Sequence, residues 1–328
     1  RDQWSAGSLF EYLINDTWAL RNTMRYSSIE FDGKTVFGGG LQEDLRSLNR
    51  FGFGNTFELK IFTMDTNAYA HFDSGSVEHS LLFGVDYSTS ESKIVSGFSF
   101  AAPLDVFAPV YGSSVPDLFI YGNVNQPIDQ LGIYVQDQMK FASRWIATLA
   151  LRQDSTDITT DNRLSDSQVD QSDSALTGRV ALTYLAESGL APYFSYSTSF
   201  LPVAGVDFYN RPFDPTEGEQ FEAGLKFQPK GSNSFLTASL FQITQTNVSV
   251  PDPVNPFSSV QQGEIRSQGL ELEAIGSLAT SFNYYASYSY LDQEVTETTD
   301  PATLGTRPPL VPDQLFAAGG EYMFTEGG

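Results

Sequence analysis

Apolar and polar positions alternate along the stretch 266–290, which has two arms. In the first arm Leu270 and Leu272 share one parity, and Glu271 and Glu273 share the other. A period of two predicts strands, because successive side chains of a strand point to opposite faces. Each arm matches the roughly 9–11 residues that a tilted strand needs to cross a bilayer. The stretch therefore predicts one hairpin of a transmembrane β-barrel, with both glutamates facing a wet interior.

The same alternation predicts about thirteen strands along the chain. Short and long connections alternate between them, as in outer-membrane barrels, which have tight turns on one rim and long loops on the other. The sequence therefore predicts an all-β, antiparallel, up-and-down transmembrane barrel. The predicted strands span approximately 8–15, 17–31, 56–73, 77–92, 129–142, 144–158, 174–186, 190–202, 218–228, 234–248, 263–278, 282–297 and 313–325. The predicted short links are 15–16, 73–76, 142–143, 187–189, 229–233 and 279–281, and the long links are roughly 32–55, 93–128, 159–173, 203–217, 249–262 and 298–312.

Aromatic residues flank nearly every predicted short turn. Trp and Tyr rings favour the headgroup level of a membrane, because they combine an apolar body with a polar tip. Strands also favour aromatic residues in general, but the position beside the turns favours an interfacial girdle. The residues concerned are Trp18, Phe72, Phe141, Trp145, Tyr184, Tyr193, Phe227, Phe235 and Phe282.

Composition narrows the possible functions. The net charge of −22 argues against nucleic acid as a partner, because phosphates call for a basic surface. The absence of Cys excludes disulfides and thiolate metal sites. His71 and His79 are the only histidines, and they read as ordinary strand residues rather than as a zinc pair. No stretch of 18 apolar residues occurs, so no membrane-spanning helix is expected.

Two of the predicted loops carry unusual numbers of aromatic residues, the segments 98–121 and 204–213. Exposed aromatic residues in loops point to binding, although such rings can also pack loops against one another. We therefore expect a ligand site at the loop rim. Its candidate residues are Phe107, Tyr111, Tyr121, Phe208, Tyr209 and Arg211.

Catalysis has little support in the sequence, and we expect the chain not to be an enzyme. Ser, His and Asp are all present, but no Gly-x-Ser-x-Gly motif occurs. Two alternatives stay open beside a receptor. A passive porin would have a polar, conducting lumen, and a barrel enzyme would gather catalytic groups at the outer rim.

Several sequence segments, in their order along the chain, resemble those of the TonB-dependent siderophore receptors of Gram-negative outer membranes, and of the ferrichrome type in particular. They cover roughly 130–325 well, and 1–128 matches more loosely through His79-Ser-Leu-Leu-Phe-Gly-Val-Asp-Tyr87. The other segments are Gln130-Leu-Gly-Ile-Tyr-Val-Gln-Asp-Gln138, Gly189-Leu-Ala-Pro-Tyr-Phe-Ser-Tyr-Ser-Thr-Ser-Phe200, Gly218-Glu-Gln-Phe-Glu-Ala-Gly-Leu-Lys226, Ser239-Leu-Phe-Gln-Ile-Thr-Gln-Thr-Asn-Val248, Arg266-Ser-Gln-Gly-Leu-Glu-Leu-Glu273 and Arg307-Pro-Pro-Leu-Val-Pro312.

The resemblance implies a barrel of 22 strands, closed by an N-terminal plug, in the outer membrane. It implies a ferric siderophore as transported ligand, no resident cofactor, and energy from TonB with ExbB and ExbD. Outer-membrane lipid and lipopolysaccharide are the expected surroundings. We expect 1–328 to be one partial barrel domain of a longer protein, without the plug and the TonB box. About thirteen strands cannot close a 22-strand ring, so we expect an open, curled antiparallel sheet.

The charges of the predicted outer loops favour a neutral or cationic siderophore. Arg163, Arg211 and Arg307 stand out there, with Lys34 and Arg46 beside them, in a chain that is strongly acidic overall. A catecholate chelate carries several negative charges and would call for more Arg and Lys. A hydroxamate chelate is close to neutral and suits apolar and aromatic contacts. The expected cargo is therefore a ferric siderophore of the hydroxamate type.

Overall fold

The chain forms one antiparallel sheet in which each strand pairs with the next along the sequence. The computed structural model describes residues 1–252, 254–255, 258–278, 281–308 and 310–324. Among these described residues, no helix is both long enough and apolar enough to cross a membrane. The strands are β1 (Asp2–Leu13), β2 (Trp18–Leu41), β3 (Ser47–Ser74), β4 (Val77–Asp105), β5 (Phe119–Phe141), β6 (Trp145–Asn162), β7 (Ser167–Tyr184), β8 (Leu190–Leu201), β9 (Thr216–Phe227), β10 (Phe235–Pro251), β11 (Ser259–Leu278), β12 (Phe282–Glu297) and β13 (Gln314–Tyr322).

The sheet is open within the described residues. Its strand order runs from β1 to β13, and no ladder joins the two edge strands. In an up-and-down sheet of thirteen strands, the first and last strands run in the same direction, so they cannot pair antiparallel with each other. The predicted strand count and the predicted open antiparallel sheet are confirmed.

The two faces of the sheet differ in chemistry. Val135 on β5 stands opposite Leu151 on β6, and Leu149 stands opposite Val180 on β7, and all four are largely exposed apolar side chains. We call this the outer face, because an exposed apolar band is the part of a barrel that meets lipid. The opposite parity carries mainly polar side chains, and we call it the lumen face. Glu271 lies on this lumen face opposite Ser289, as the alternation predicts.

The connections form two rims. The short-turn rim holds the connections 14–17, 75–76, 142–144, 185–189 and 228–234. The loop rim holds 42–46, 106–118, 163–166 and 202–215, together with the described residues 252, 254–255, 258, 298–308 and 310–313 of its last two connections. The predicted long link at 203–217 is confirmed, because the structure has a connection at 202–215. The predicted short link 279–281 lies mostly outside the described residues, and so does residue 325 of the last predicted strand.

Several predicted long links are wrong, because the strands continue far beyond the apolar band. The segment 32–55 is almost entirely strand with a tight turn at 42–46, and 159–173 is a hairpin with a tight turn at 163–166. The predicted link 93–128 shrinks to the loop 106–118. Tight turns therefore occur on both rims. Above the membrane both faces of a strand can be wet, so alternation disappears from the sequence while the backbone ladder continues.

The aromatic residues beside the short turns lie mostly on the outer face. Trp145 packs against Tyr184 across the β6–β7 ladder, with ring centroids 4.8 Å apart. Trp18 pairs with Ala70, on the face that also carries Phe72. Tyr193 and Phe235 are exceptions, since their strand parity places them on the lumen face. This outward ring of aromatic side chains is the arrangement that an interfacial girdle requires.

Candidate functional site

A polar network covers the lumen face where β3 to β6 run side by side. The guanidinium of Arg152 on β6 forms ion pairs with Asp86 on β4 and with Asp154, and its Nη2 lies 2.6 Å from Asp154 Oδ1. Asp154 is only 3% exposed. On the same face, the hydroxyl of Tyr134 donates to Asp65 on β3 over 2.6 Å. Four strands are thus tied together by charge-assisted contacts that an apolar wall could not make.

A second polar group lies on the lumen face of β8 and β9. The hydroxyl of Tyr193 donates to Glu222 over 2.6 Å, and Gln220 donates to the other oxygen of Glu222 over 2.9 Å. The ammonium of Lys226 lies 5.1 Å from the centroid of the Tyr193 ring. This geometry is typical of a cation–π contact. The lumen wall therefore carries satisfied polar groups on both halves of the sheet.

Above these networks, the lumen face of the strand extensions carries an array of aromatic rings. Phe51 on β3 stacks on Phe98 of β4 with centroids 5.6 Å apart, and Phe98 meets Phe100 edge to face at 5.1 Å. Phe53 lies 6.3 Å from Tyr121 on β5. Strand parity puts these rings on the face of Asp65, at the loop rim. We call this array the aromatic wall, and its members are Phe37, Phe51, Phe53, Phe98, Phe100 and Tyr121.

The aromatic wall was only partly predicted. Tyr121 was a predicted loop residue, but it lies in β5, so its predicted place in a loop is wrong. Phe98 and Phe100 belong to the predicted loop segment 98–121 but lie in β4, and Phe37, Phe51 and Phe53 are not among the predicted site residues. The signal that could have found them is the spacing of Phe51 and Phe53, which is that of one face of a strand.

Phe107 and Tyr111 lie in the β4–β5 loop, as predicted, and about three quarters of each side chain is exposed. The loop begins at a well-formed turn, because Asp105 Oδ1 accepts hydrogen bonds from the backbone N–H of Phe107 at 2.9 Å and of Ala108 at 3.1 Å. The Arg46 side chain, which donates to Asp105 over 2.6 Å, is the largest cause that holds the pKa of Asp105 below its ordinary value. The base of the loop is therefore fixed while its rings stay free.

Phe208, Tyr209 and Arg211 form the tip of the β8–β9 loop. Asp207 Oδ1 accepts the backbone N–H groups of Tyr209 and Arg211, and Asp207 Oδ2 lies 2.6 Å from the Arg211 guanidinium. The hydrogen bond from the backbone N–H of Arg211 is the largest cause that lowers the pKa of Asp207. Phe208 meets Tyr209 edge to face at 5.3 Å, and Arg211 lies 5.4 Å from the Tyr209 ring centroid.

The six predicted site residues thus fall into three separate groups: the β4–β5 loop, the aromatic wall and the β8–β9 tip. Within the described residues, no aromatic ring pair joins one of these groups to another. Each group lies at the loop rim, and a ligand site at this rim stays a prediction. Their individual roles stay predictions.

The structure offers no arrangement for a zinc pair at the two histidines. His71 Nδ1 contacts Ser80 Oγ at 3.0 Å on the lumen face, and His79 Nδ1 contacts Asp137 Oδ2 at 2.8 Å on the outer face. Across the part of the chain that the structure describes, no group of three metal-ligating side chains converges.

Comparisons with known proteins agree on one family. The family described as TonB dependent receptor-like, beta-barrel matches residues 1–328. The chain is 33% identical over 322 residues to the ferrioxamine B receptor of Salmonella typhimurium strain SL1344, which covers 98% of this chain and 45% of that protein. It is 30% identical over 363 residues to the ferrichrome outer membrane transporter/phage receptor of Escherichia coli K12, which covers 100% of this chain and 47% of that protein. The chain thus spans about half the length of these relatives.

Solved structures share the fold. The siderophore receptor PiuA from Acinetobacter baumannii superposes with a TM-score of 0.85 at 20% identity, over 98% of this chain and 52% of that one. The ferric-catecholate import receptor Fiu from Escherichia coli K12, in its closed form, gives a TM-score of 0.83 at 20% identity, over 99% of this chain and 52% of that one. At these identities the likeness concerns the fold alone, and it is the fold of an outer-membrane β-barrel. The relatives named are receptors and a transporter, in agreement with the expectation that the chain is not an enzyme.

Proposed function

Because the chain belongs to the family of TonB-dependent receptor-like β-barrels, we propose that it forms the barrel wall of an outer-membrane receptor that takes up ferric siderophore. The family and the names of the two relatives, which speak of ferrioxamine and ferrichrome, support this cargo. The iron chelate is transported ligand, and the barrel needs no resident cofactor for this task. Coupling to TonB with ExbB and ExbD would supply the energy, and outer-membrane lipid and lipopolysaccharide would surround the outer face.

The aromatic wall is the observation that best supports a siderophore-binding site on this part of the barrel. Its rings lie on the lumen face at the loop rim, so a chelate that enters from outside meets them before the polar networks below. Phe100 is 73% exposed, and Tyr121 is 52% exposed. Exposed aromatic side chains provide large, rigid contact surfaces at low entropic cost.

We further propose a hydroxamate type of cargo. The arginines of the outer loops are already neutralised: Arg163 pairs with Asp161 at 3.4 Å, Arg211 pairs with Asp207 at 2.6 Å, and Arg307 pairs with Asp313. A highly charged catecholate chelate would have to compete with these carboxylates for each guanidinium. A nearly neutral chelate can instead bind by apolar contact with the aromatic wall.

A competition experiment on the full-length receptor tests both statements. Equilibrium binding of a ferrichrome-like ferric hydroxamate and of an enterobactin-like ferric catecholate would be compared, at equal iron loading. We expect the hydroxamate to bind more tightly. Tighter binding of the catecholate would contradict the hydroxamate type, and binding of neither chelate would contradict siderophore uptake itself.

A further inference from the structure

We propose that Gly52, Gly54 and Gly97 form a depression on the outer face of the sheet, and that Val115 and Leu118 of the β4–β5 loop pack into it. We call this depression the glycine seat. In this position the loop lies against the outside of the barrel wall and leaves the aromatic wall on the inside open to cargo. The glycine seat is thus a positioning element for the cargo site, and this role rests on the function proposed above.

The seat is on the opposite face from the aromatic wall. Gly52 and Gly54 alternate with Phe51 and Phe53 along β3, and Gly54 stands opposite Gly97 in the β3–β4 ladder. Since neighbouring residues of a strand point to opposite faces, the glycines open the outer face where the phenylalanines fill the lumen face. The same short stretch of β3 therefore serves both surfaces.

Space for a side chain is absent at all three glycines. A Cβ at Gly52 would overlap Val115 Cγ1, a Cβ at Gly54 would overlap Leu118 Cδ1, and a Cβ at Gly97 would lie 2.7 Å from Leu118 Cβ. Heavy atoms in apolar contact normally approach to about 3.5–4.0 Å. Loop side chains are therefore the nearest neighbours at all three positions, and at Gly52 the hydroxyl oxygen of Ser99, 2.5 Å from the Cβ position, occupies part of the same volume.

Backbone conformation does not explain these glycines. None of the three is among the residues with positive φ, so their backbone is one that any residue can adopt. Glycine weakens the interior of a strand relative to Ala, and within a strand it often marks the close approach of another segment. The segment that approaches here is the one that holds Val115 and Leu118.

Burial of a polar neighbour shows that the seat is occupied. Ser99 stands opposite Gly52 on β4 and is only 7% exposed, although it belongs to a wall that would otherwise face water. Its Oγ has no hydrogen-bond partner among the described residues. A hydroxyl loses its water in this way when an apolar side chain covers it, and Val115 is the side chain that lies over this position.

The other end of the loop is fixed as well. The backbone N–H of Val106 donates to the carbonyl of Arg46 over 3.0 Å, and Arg50 Nε donates to the carbonyl of Ala102 over 2.8 Å. With both ends anchored, only the middle of the loop is free to move. The exposed rings of Phe107 and Tyr111 are thus placed by the anchors of the loop and not by packing on other rings.

Disulfide trapping tests the seat in a full-length receptor from which any Cys outside residues 1–328 has been replaced by Ser, since 1–328 itself contains no Cys. The full-length receptor would carry Gly52→Cys with Val115→Cys, and the matched control would carry Gly40→Cys with Val115→Cys, since Gly40 has no neighbour within 4 Å. We expect the first pair to oxidise almost completely and the control pair hardly at all. Equal oxidation of both pairs, or none in the first, would overturn the seat.

Cargo binding then tests its role. The oxidised Gly52→Cys/Val115→Cys receptor should bind ferric hydroxamate within about twofold of its reduced form, because the seated loop is the open one. Loss of binding on oxidation, restored by reduction, would overturn the open position. If neither the reduced receptor nor the unaltered receptor binds ferric hydroxamate, the proposed function is wrong. The disulfide-trapping result would still show whether Val115 packs against Gly52.

A displacing variant gives the complementary result. Gly54→Leu should push Leu118 out, expose the β4–β5 loop to limited proteolysis and lower hydroxamate affinity about tenfold, because a detached loop can fall across the aromatic wall. Gly40→Leu should change neither the proteolysis of the β4–β5 loop nor the affinity for the ferric hydroxamate. Folding of both variants is checked by retention of the heat-modifiable barrel band. Gly54→Leu with a cleavable loop and unaltered affinity would overturn the positioning role.

Discussion

Phe51 on β3 stands directly opposite Phe100 on β4, and their ring centroids lie 5.8 Å apart. A cross-strand aromatic pair of this kind stabilises a sheet by roughly 0.2–1 kcal/mol. Here the pair also lies on the lumen face at the loop rim, where Phe100 remains largely exposed. The contact therefore holds the strand extensions together and leaves ring surface for a ligand.

Removal of two rings from the aromatic wall should weaken cargo binding. Phe51→Ala combined with Phe98→Ala deletes the stacked pair at its centre, and we expect about a tenfold to thirtyfold loss of ferric hydroxamate affinity, which is roughly 1.4–2 kcal/mol. Equilibrium binding to the full-length receptor measures it. Phe62→Ala is the matched control, since Phe62 lies on the same strand but on the outer face, opposite Tyr26. Equal affinities of the two variants would argue against the aromatic wall.

Single alanine substitutions in the β4–β5 and β8–β9 loops should reduce the uptake of ferric siderophore. Tyr111→Ala and Tyr209→Ala each remove a ring that is more than two thirds exposed, so the barrel loses little packing. We expect reduced uptake of the ferric siderophore with an unchanged amount of receptor in the membrane. Uptake of labelled iron together with immunodetection of the receptor measures both. A fall in receptor amount that matches the fall in uptake would assign these rings to folding instead.

The sequence predicts the strands well where their two faces meet different surroundings, and poorly where both faces meet water. Leu270 and Leu272 alternate with Glu271 because lipid lies on one side and a wet lumen on the other, so β11 was predicted nearly to its ends. Above the membrane this contrast vanishes, and the Gly-rich segment around Gly52 and Gly54 read as loop. Of the aromatic wall the sequence therefore predicts only Tyr121 as a site residue, and it predicts none of the glycine seat, because Phe51 and Phe53 alternate with glycines and not with polar side chains.

The β8–β9 tip should respond to acid through Asp207. Its pKa is lowered from the ordinary value of 3.8, chiefly because its carboxylate accepts the backbone N–H of Arg211. A carboxyl whose pKa is lowered on folding stabilises the folded turn above that ordinary value, and this stabilisation is lost as the pH falls through the lower, folded value. We expect the tip to stay ordered from neutral pH down to about 4 and to loosen below it.

A spin label at position 208, attached through Phe208→Cys in a receptor from which any Cys outside residues 1–328 has been replaced by Ser, reports the mobility of the tip. Its spectrum should sharpen only below about pH 4. In the Asp207→Asn background the label should be equally mobile at pH 7 and pH 3, because the amide does not titrate. A pH response that survives Asp207→Asn would assign the titration to another group.

Loss of the Arg152 guanidinium should destabilise the barrel wall, whereas loss of Arg179 should not. Both arginines lie on the lumen face, but Arg152 pairs with Asp86 and with the nearly fully buried Asp154, while Arg179 forms no ion pair with any described residue. Removal of one partner from a fully buried pair costs about 3–5 kcal/mol, since it leaves a charge uncompensated. Because about a third of the Arg152 side chain is exposed to the wet lumen, we expect a smaller loss of about 2 kcal/mol for Arg152→Met.

Urea unfolding of the full-length receptor in detergent, followed by the heat-modifiable band, measures this difference. Arg179→Met is the control and should lie within about 0.5 kcal/mol of the unaltered protein. Arg152→Lys should fall between the two, because an ammonium keeps the charge but cannot satisfy both carboxylates in the planar geometry of a guanidinium. Equal stability of Arg152→Met and Arg179→Met would mean that water in the lumen replaces the guanidinium, and that the network does not hold β4 and β6 together.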